Sequence, residues 1–264
     1  MLGSCLTKYM KLKKDVEVLA YSRYDFNAAR NVKWLDGEIS KNDYVINCVG
    51  VLKPHVDAVG KADTIKINTL FPQLVADSCA KKGVRFFNIS TDCVFTGSKG
   101  SYVENNACDA TDLYGITKSI NPDPATCYRT SFIGEESSGV GLIRWLIENK
   151  GKSIKGYTNC IWNGLTCLEM SRYIYKSIIT GIDIKGLRHV YSPDSVSKFE
   201  LCCLVNEVYD LDIDIEPTEA TSITGTMING KLDRTLSSNY DLLYVIPPLE
   251  QQIIEQHEFM RDYT

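Results

Sequence analysis

Apolar runs of strand length recur through the first half of the chain, separated by segments with helical spacing. Val16–Tyr21 is a short β-prone run ending in Ser22-Arg23, and Tyr44–Val49 is an apolar run ending in Asn47-Cys48-Val49-Gly50. Asp63 can cap a helix carrying Ile67, Leu70, Leu74, Val75 and Cys79 on one stripe and closing near Lys82-Gly83. Val84–Ile89 then leads directly into Ser90, and Thr126–Ile133 follows one further helix. Strands that are apolar throughout, instead of alternating, are buried on both faces. The pattern therefore predicts an α/β fold, a doubly wound parallel sheet covered by helices on both sides. Ligands of such sheets sit beyond the carboxyl ends of the strands. Asn47, Ser90, Thr91 and Arg129 all fall at or near those ends.

After about residue 134 the pattern changes. Gly139–Lys150 reads as an amphipathic helix, Lys155–Thr166 as an irregular stretch, Leu168–Ile179 as a helix, and a last helix lies within Leu249–Met260. The expected division is a nucleotide-binding domain over 1–150 and a smaller α/β substrate lobe over 151–264, interleaved with the first.

The composition narrows the function classes. At 264 residues, with 44% hydrophobic and 23% charged residues, the chain has the make-up of a soluble globular protein. A net charge of −4 gives no electrostatic footprint for nucleic acid. No apolar run approaches the roughly 18–20 residues of a membrane span, and Lys8, Lys11, Lys13 and Lys14 are not followed by a signal-peptide core, so a cytoplasmic protein is expected. The ten cysteines show no metal or disulfide spacing, and the three histidines (His55, His189, His257) are far apart, so reduced structural thiols and no metal are expected.

Chemistry concentrates in two motifs. Tyr114-Gly115-Ile116-Thr117-Lys118 places a phenol and an ammonium four residues apart, on one face of a helix. An adjacent ammonium stabilises phenolate and lowers a Tyr pKa from about 10, which makes the phenol a proton donor near neutral pH. Ser90-Thr91-Asp92, at the end of the preceding strand, can hydrogen-bond the oxygen that receives the proton. Alone, Tyr-x-x-x-Lys is more often a solvated helix face; the strand running into Ser-Thr-Asp gives it meaning.

A doubly wound domain normally opens with an apolar strand feeding a Gly-rich turn against which a cofactor pyrophosphate lies. Here Met1-Leu2-Gly3-Ser4-Cys5-Leu6 reads as the last turn of such a loop and the helix it opens, with Gly3 as its last glycine. The sheet is thus expected to lack its first strand, through a start set too late or a naturally shortened protein.

These residues resemble the extended short-chain dehydrogenase/reductases, and within them the dTDP-4-dehydrorhamnose reductase-like sugar-nucleotide reductases. Asp43–Gly50 looks like the fourth strand and cofactor loop of that family, Phe87–Gly97 like its active-site strand, Tyr114–Lys118 like its catalytic helix and Tyr128–Ser131 like the strand that follows. Asn159–Thr166 is similar to the segment over the nucleotide of the substrate. Asn-Cys-Val-Gly-Val-Leu-Lys-Pro and Ser-Thr-Asp-Cys-Val-Phe look closer to a branch that reduces UDP-linked 4-keto-2-acetamido-2,6-dideoxy-hexoses, as in N-acetyl-L-rhamnosamine formation.

The resemblance implies a Rossmann domain and NAD(P)H-dependent reduction of a 4-keto group in deoxysugar and glycan biosynthesis. Tyr114 would protonate the new alkoxide and Lys118 would lower its pKa and hold the nicotinamide ribose. Thr91, supported by Ser90, would position the carbonyl oxygen. Gly3, Ser22, Arg23, Asn47, Cys48, Val49, Gly50 and Asn68 would line the cofactor cleft. Arg23 can pair with a 2′-phosphate, which favours NADPH, with NADH as the alternative. Asp92, Arg129, Trp162, Asn163, Lys198 and Arg234 would face the nucleotide sugar, although Asp92 reads equally as a turn residue and Trp162 equally as core. A homodimer is the assembly considered. Two rival readings share the fold. One is a non-catalytic partner resembling the methionine adenosyltransferase regulatory subunit; the other is an inactive remnant. Epimerases and dehydratases form a third class, against which Asp92-Cys93 speaks, because dehydratases place Asp-Glu after the active-site Thr.

Overall fold

A computed structural model describes residues 1–30, 32–39, 43–135, 141–182, 184–223, 226–227 and 230–261. The first half contains α1 (Leu2–Lys11), α2 (Val32–Ile39), β1 (Tyr44–Asn47), α3 (Phe71–Lys82), β2 (Arg85–Thr91), α4 (Leu113–Ser119), β3 (Thr126–Thr130) and β4 (Phe132–Ile133). Next come α5 (Leu142–Glu148), β5 (Ser153–Tyr157), β6 (Cys160–Trp162), β7 (Leu165–Thr166), α6 (Cys167–Thr180) and β8 (Gly186–His189). The chain closes with β9 (Val196–Ser197), α7 (Lys198–Val208), β10 (Asp214–Thr218), β11 (Leu232–Asp233) and α8 (Leu249–Arg261).

The frame is a parallel four-stranded sheet of order β1-β2-β3-β8, with Asn47 opposite Asn88 and Ser90 opposite Arg129. Alternate residues of each strand serve opposite faces. Tyr44, Ile46, Phe87, Ile89 and Tyr128 pack with α1 and α6, while Val45, Phe86 and Cys127 pack with Phe71, Val75, Ala76 and Cys79 of α3. Helices thus cover both faces in a doubly wound arrangement, as the apolar strands predict. A second core joins Ile143 and Leu146 of α5, Trp162, Leu201 and Val205 of α7, and Leu249 and Ile253 of α8. Gln252 and Gln256 of α8 accept from Thr166 N and Leu168 N, supplying acceptors that the first turn of α6 lacks internally. No helix among the described residues is long and apolar enough to cross a membrane.

Several elements depart from the sequence reading. Val16–Tyr21 is not a strand: it has no regular structure, and the outer edge of β1 has no partner among the described residues. A β-prone run becomes a strand only when a ladder accepts it. Ser22 and Arg23 consequently sit in an exposed turn, Ser22 bonded to Asp25 and Arg23 near the Tyr24 ring, instead of at a strand end. Thr126–Ile133 splits at Ser131, and β4 leaves the main sheet to pair with β7. The stretch 155–166 is not irregular: β5 alternates exposed and buried residues, and β6 and β7 come after it. Gly156 within β5 is required by packing, since a Cβ there would lie 2.9 Å from the Phe199 Cα. For Gly139–Lys150, residues 139 and 140 lie outside the described residues, and α5 begins at Leu142.

The helix expected from Asp63 is interrupted. Lys61–Ile65 is α-helical, Lys66–Leu70 forms a π turn, and α3 resumes at Phe71 and ends on left-handed Gly83. Gly60, not Asp63, stands at its N-cap. A π turn inserts one residue and rotates the helix beyond it. Phe71, Val75, Ala76 and Cys79 therefore face the sheet, leaving Leu70 and Leu74 of the expected stripe exposed.

Candidate active site

The site is built at the carboxyl ends of β1 and β2, under the short helix α4. Asp112 caps α4 by accepting from Gly115 N at 3.0 Å. Gly115 lets the helix approach the turn after β2: a Cβ there would sit 2.5 Å from the Cys93 carbonyl oxygen and 2.4 Å from the Ala110 Cβ. From the other side, Ser90 Oγ donates to the Lys118 carbonyl at 3.0 Å and Thr69 Oγ1 to the Thr117 carbonyl at 2.8 Å. Ser90 thus acts on the helix backbone.

Thr91 and Tyr114 meet. The Thr91 hydroxyl faces the phenol and lowers its pKa; Thr91 Oγ1 donates to Asp92 Oδ1 and accepts from Cys93 N, both at 3.2 Å. Burial pushes the Tyr114 pKa well up, with Cys93, Asp92 and Asp112 adding to the rise and Thr91 opposing it. This reverses the expected lowering by Lys118. The Lys118 ammonium donates to the Ile89 carbonyl at 2.6 Å, and burial brings its own pKa down to about 8. Tyr114 therefore keeps its proton at neutral pH.

Lys118 lies next to Gly50: a Cβ on Gly50 would lie 3.9 Å from Lys118 Nζ and 3.5 Å from Asn68 Oδ1. Asn68, buried in the π turn, accepts from Val51 N at 2.8 Å and donates to Val51 O at 3.0 Å and Thr117 Oγ1 at 3.2 Å. One side chain thus satisfies both backbone groups of Val51 and joins the loop after β1 to α4. Asn47 Nδ2 donates to Asn88 Oδ1 at 2.8 Å, while Asn47 Oδ1 accepts from Val49 N at 3.0 Å, which shapes the Cys48-Val49-Gly50 turn. Gly3 brings the first turn of α1 to this loop, its position for a Cβ lying 3.3 Å from the Cys48 Cβ. A side-chain-free Gly50 beside a buried ammonium, with a helix start nearby, fits a nicotinamide dinucleotide.

The candidates on the substrate side divide. Asp92 is 4% exposed; burial raises its pKa, and Arg234 and Lys198 oppose the rise. Arg234 Nε donates to the Phe95 carbonyl at 2.8 Å, and Nη1 reaches Cys93 Sγ at 3.8 Å. Lys198 Nζ lies 4.9 Å from the centre of the Trp162 ring. Asp92, Lys198 and Arg234 thus form a charged group beside Tyr114. Trp162 is core, with Nε1 donating to Ser131 Oγ at 2.8 Å. Asn163 is occupied by the Leu236 backbone, giving and taking one bond of 2.8 Å each. Arg129 is 1% exposed, bonds His189 and Cys108, and lies 5.0 Å from the centre of the Phe95 ring. The His189 Nδ1 faces two carbonyls, so its Nε2 is the acceptor for the guanidinium.

Sequence reasoning missed Asp112, Lys53, Asn88 and Thr117. Asp112 was legible as an Asp before a helix three residues from Gly115. The others belong to pairs distant in sequence, with no local signal.

Residues 1–121 match the family model described as the RmlD substrate binding domain, a span ending just past Lys118. The dTDP-4-dehydrorhamnose reductase of Clostridium acetobutylicum superposes with a TM-score of 0.78 at 20% identity, covering 98% of this chain and 96% of that one. The chain shares the fold of that reductase. The Bacillus anthracis dTDP-4-dehydrorhamnose reductase, solved in complex with NADP, gives 0.79 at 18% identity, covering 97% and 95%. The UDP-glucose 4-epimerase of Thermotoga maritima, solved with UDP-glucose, gives 0.72 at 13%, covering 100% and 96%. Comparison with curated proteins found no match. The resemblance read from Ser90–Asp92 and Tyr114–Lys118 is thus joined by the family model over the first part of the chain and by a shared fold over its whole length.

Proposed function

We propose that the protein is an NAD(P)H-dependent reductase of the 4-keto group of a nucleotide-linked 4-keto-6-deoxy sugar, with a UDP-2-acetamido-2,6-dideoxy-L-hexos-4-ulose as the first substrate to try and dTDP-4-dehydrorhamnose as the second. The observation that carries the reading is the Thr91 hydroxyl facing the Tyr114 phenol, with the buried Lys118 ammonium close to Gly50. A bound reduced nicotinamide supplies the hydride. Tyr114, protonated at neutral pH, gives its proton to the sugar oxygen as that oxygen becomes an alkoxide; the alkoxide is the stronger base, so the transfer runs downhill without a lowered phenol pKa. Thr91 holds the phenol and the incoming oxygen in line. Lys118, with its pKa brought to about 8, hydrogen-bonds the ribose next to Gly50. Asp92, Lys198 and Arg234 face the sugar and its diphosphate, two cations against one carboxyl, with residues 151–264 supplying mainly the substrate side.

NADPH is the first cofactor to test, because a dTDP-4-dehydrorhamnose reductase of the same fold, from Bacillus anthracis, was solved with NADP; a UDP-glucose complex in the same fold carries NAD. The test is oxidation of NADPH by the purified protein with each keto-sugar, with Tyr114→Phe as control. Turnover that Tyr114→Phe removes supports the reading. Cofactor binding without turnover of either sugar overturns the substrate assignment and favours the non-catalytic alternative.

A further inference from the structure

Lys53 and Asp112 lie 59 residues apart and meet at 3.0 Å. Lys53 opens the short 3-10 turn Lys53–His55 that comes after the loop beyond β1; Pro54 stiffens this turn at its start. Asp112 is the N-cap of α4, two residues before Tyr114. Its two carboxylate oxygens do separate work: Oδ1 accepts from Gly115 N, and Oδ2 takes the Lys53 ammonium. Both side chains are roughly one-quarter to one-third exposed, at 25% and 32%. The pair therefore bridges the turn after the β1 loop, which the reductase reading puts on the cofactor side, and the helix that carries the phenol.

We infer that Lys53 and Asp112 are a positioning pair for Tyr114, a latch that sets the start of α4 against the loop after β1 and so fixes the distance between the proton donor and the sugar oxygen that receives the proton. The geometry gives the reason. Helix α4 has only seven residues, too few to hold its own direction without tertiary contacts. Its middle is tied to that loop through Asn68 and Thr117, and its carboxyl end to β2 through Ser90. Lys53 supplies the tie at the amino end, where Tyr114 sits. A small pivot of α4 about its fixed middle would move the phenol by a large fraction of a hydrogen-bond length, and transfer steps are sensitive to such shifts. This inference deepens the proposed reductase reading and takes its catalytic consequence from it.

The two oxygens allow a clean test. Asp112→Asn keeps an oxygen for the Gly115 cap and removes the charge that Lys53 meets; Lys53→Met removes the same contact from the other side. Each single variant is expected to lower kcat by about five- to tenfold with the KM for NADPH within about twofold, and the double variant to fall no further than either single. Lys53→Arg, which keeps the charge, is expected to recover most of the rate. Effects of Lys53→Met and Asp112→Asn that multiply in the double variant would overturn the latch, as would a silent Asp112→Asn. The same cycle is read without turnover by hydrogen exchange of the amides of residues 113–119, which should quicken equally in both singles and no further in the double. If the wild-type protein turns over no keto-sugar, the reductase reading fails by itself. The exchange cycle then still decides whether the two residues act as one, and independent, additive quickening overturns that.

Discussion

The Thr91 hydroxyl, at the end of β2, faces the Tyr114 phenol at the start of α4 and holds its pKa down against burial. The two residues come from motifs 23 positions apart, and their meeting depends on Gly115, whose lack of a side chain lets α4 approach the Cys93 carbonyl. The pair predicts a graded response. Tyr114→Phe should keep the fold and lower reductase turnover by about 10²–10⁴-fold, the usual contribution of a positioned general acid. Thr91→Val should cost less, since it removes alignment and leaves the proton in place. Steady-state rates with matched thermal unfolding curves check both.

Lys118 is expected to trade stability for function. Its pKa is about 8 in the folded protein against 10.5 in the reference state, with burial as the main cause. Between those two pH values the unfolded chain binds more protons than the folded one, so this group makes stability rise with pH from about 8 to about 10.5, and its penalty is fully present below 8. Lys118→Met should therefore raise stability at pH 7 by about 1–3 kcal/mol after allowing for the lost bond to Ile89 O, and should abolish turnover. Urea unfolding at pH 7 and pH 10 checks the sign: the gap between variant and wild type must narrow at the higher pH.

Asp112 acts in the opposite direction. Burial pushes its pKa up, but the Gly115 amide and Lys53 outweigh burial and leave it below the usual carboxylate value. A depressed carboxyl contributes stability that is present above the unfolded value of about 3.9 and is lost as pH falls through the folded value. The stability difference between wild type and Asp112→Asn should accordingly shrink when unfolding is measured at successively lower pH below about 4.

Gly115→Ala is expected to damage both fold and chemistry. The added methyl meets Ala110 Cβ at 2.4 Å and the Cys93 oxygen at 2.5 Å, neither of which is the end of a flexible side chain. Relief requires α4 to shift off the turn, at a cost of about 1–3 kcal/mol and with separation of Tyr114 from Thr91. A fall in melting temperature together with a fall in kcat is the expected outcome; Gly37→Ala, where a Cβ meets nothing within 4 Å, is the control.

Much of the sheet could be read directly. Tyr44–Asn47, Arg85–Thr91 and the parallel order of the sheet agree with apolar runs spaced by helices. The features that could not be read are those decided by a partner. Val16–Tyr21 has the composition of a strand and finds no ladder. Leu70 and Leu74 have the spacing of a buried stripe, but the π turn rotates them outward. Tyr114, Lys118 and Thr91 were singled out from the spacing of two motifs, which the end of β2 and helix α4 bring side by side. The charge state of Tyr114 was not legible, since it depends on burial and on Lys118 turning to Ile89 O. Arg129 was named for its place near a strand end and Asn163 for its place in a family-like segment, and their partners, His189 and Leu236, lie 60 and 73 residues away.

The π turn at Lys66–Leu70 also fixes how this chain can change its length. The bulge holds one residue more than a regular helix needs, so losing one residue there would close it into ordinary α-helix and leave Phe71, Val75, Ala76 and Cys79 on the sheet side. The same loss inside Phe71–Lys82 has no bulge to absorb it and would turn everything beyond it by about 100°. Length is therefore adjustable at one place along this helix and fixed in the turns that follow.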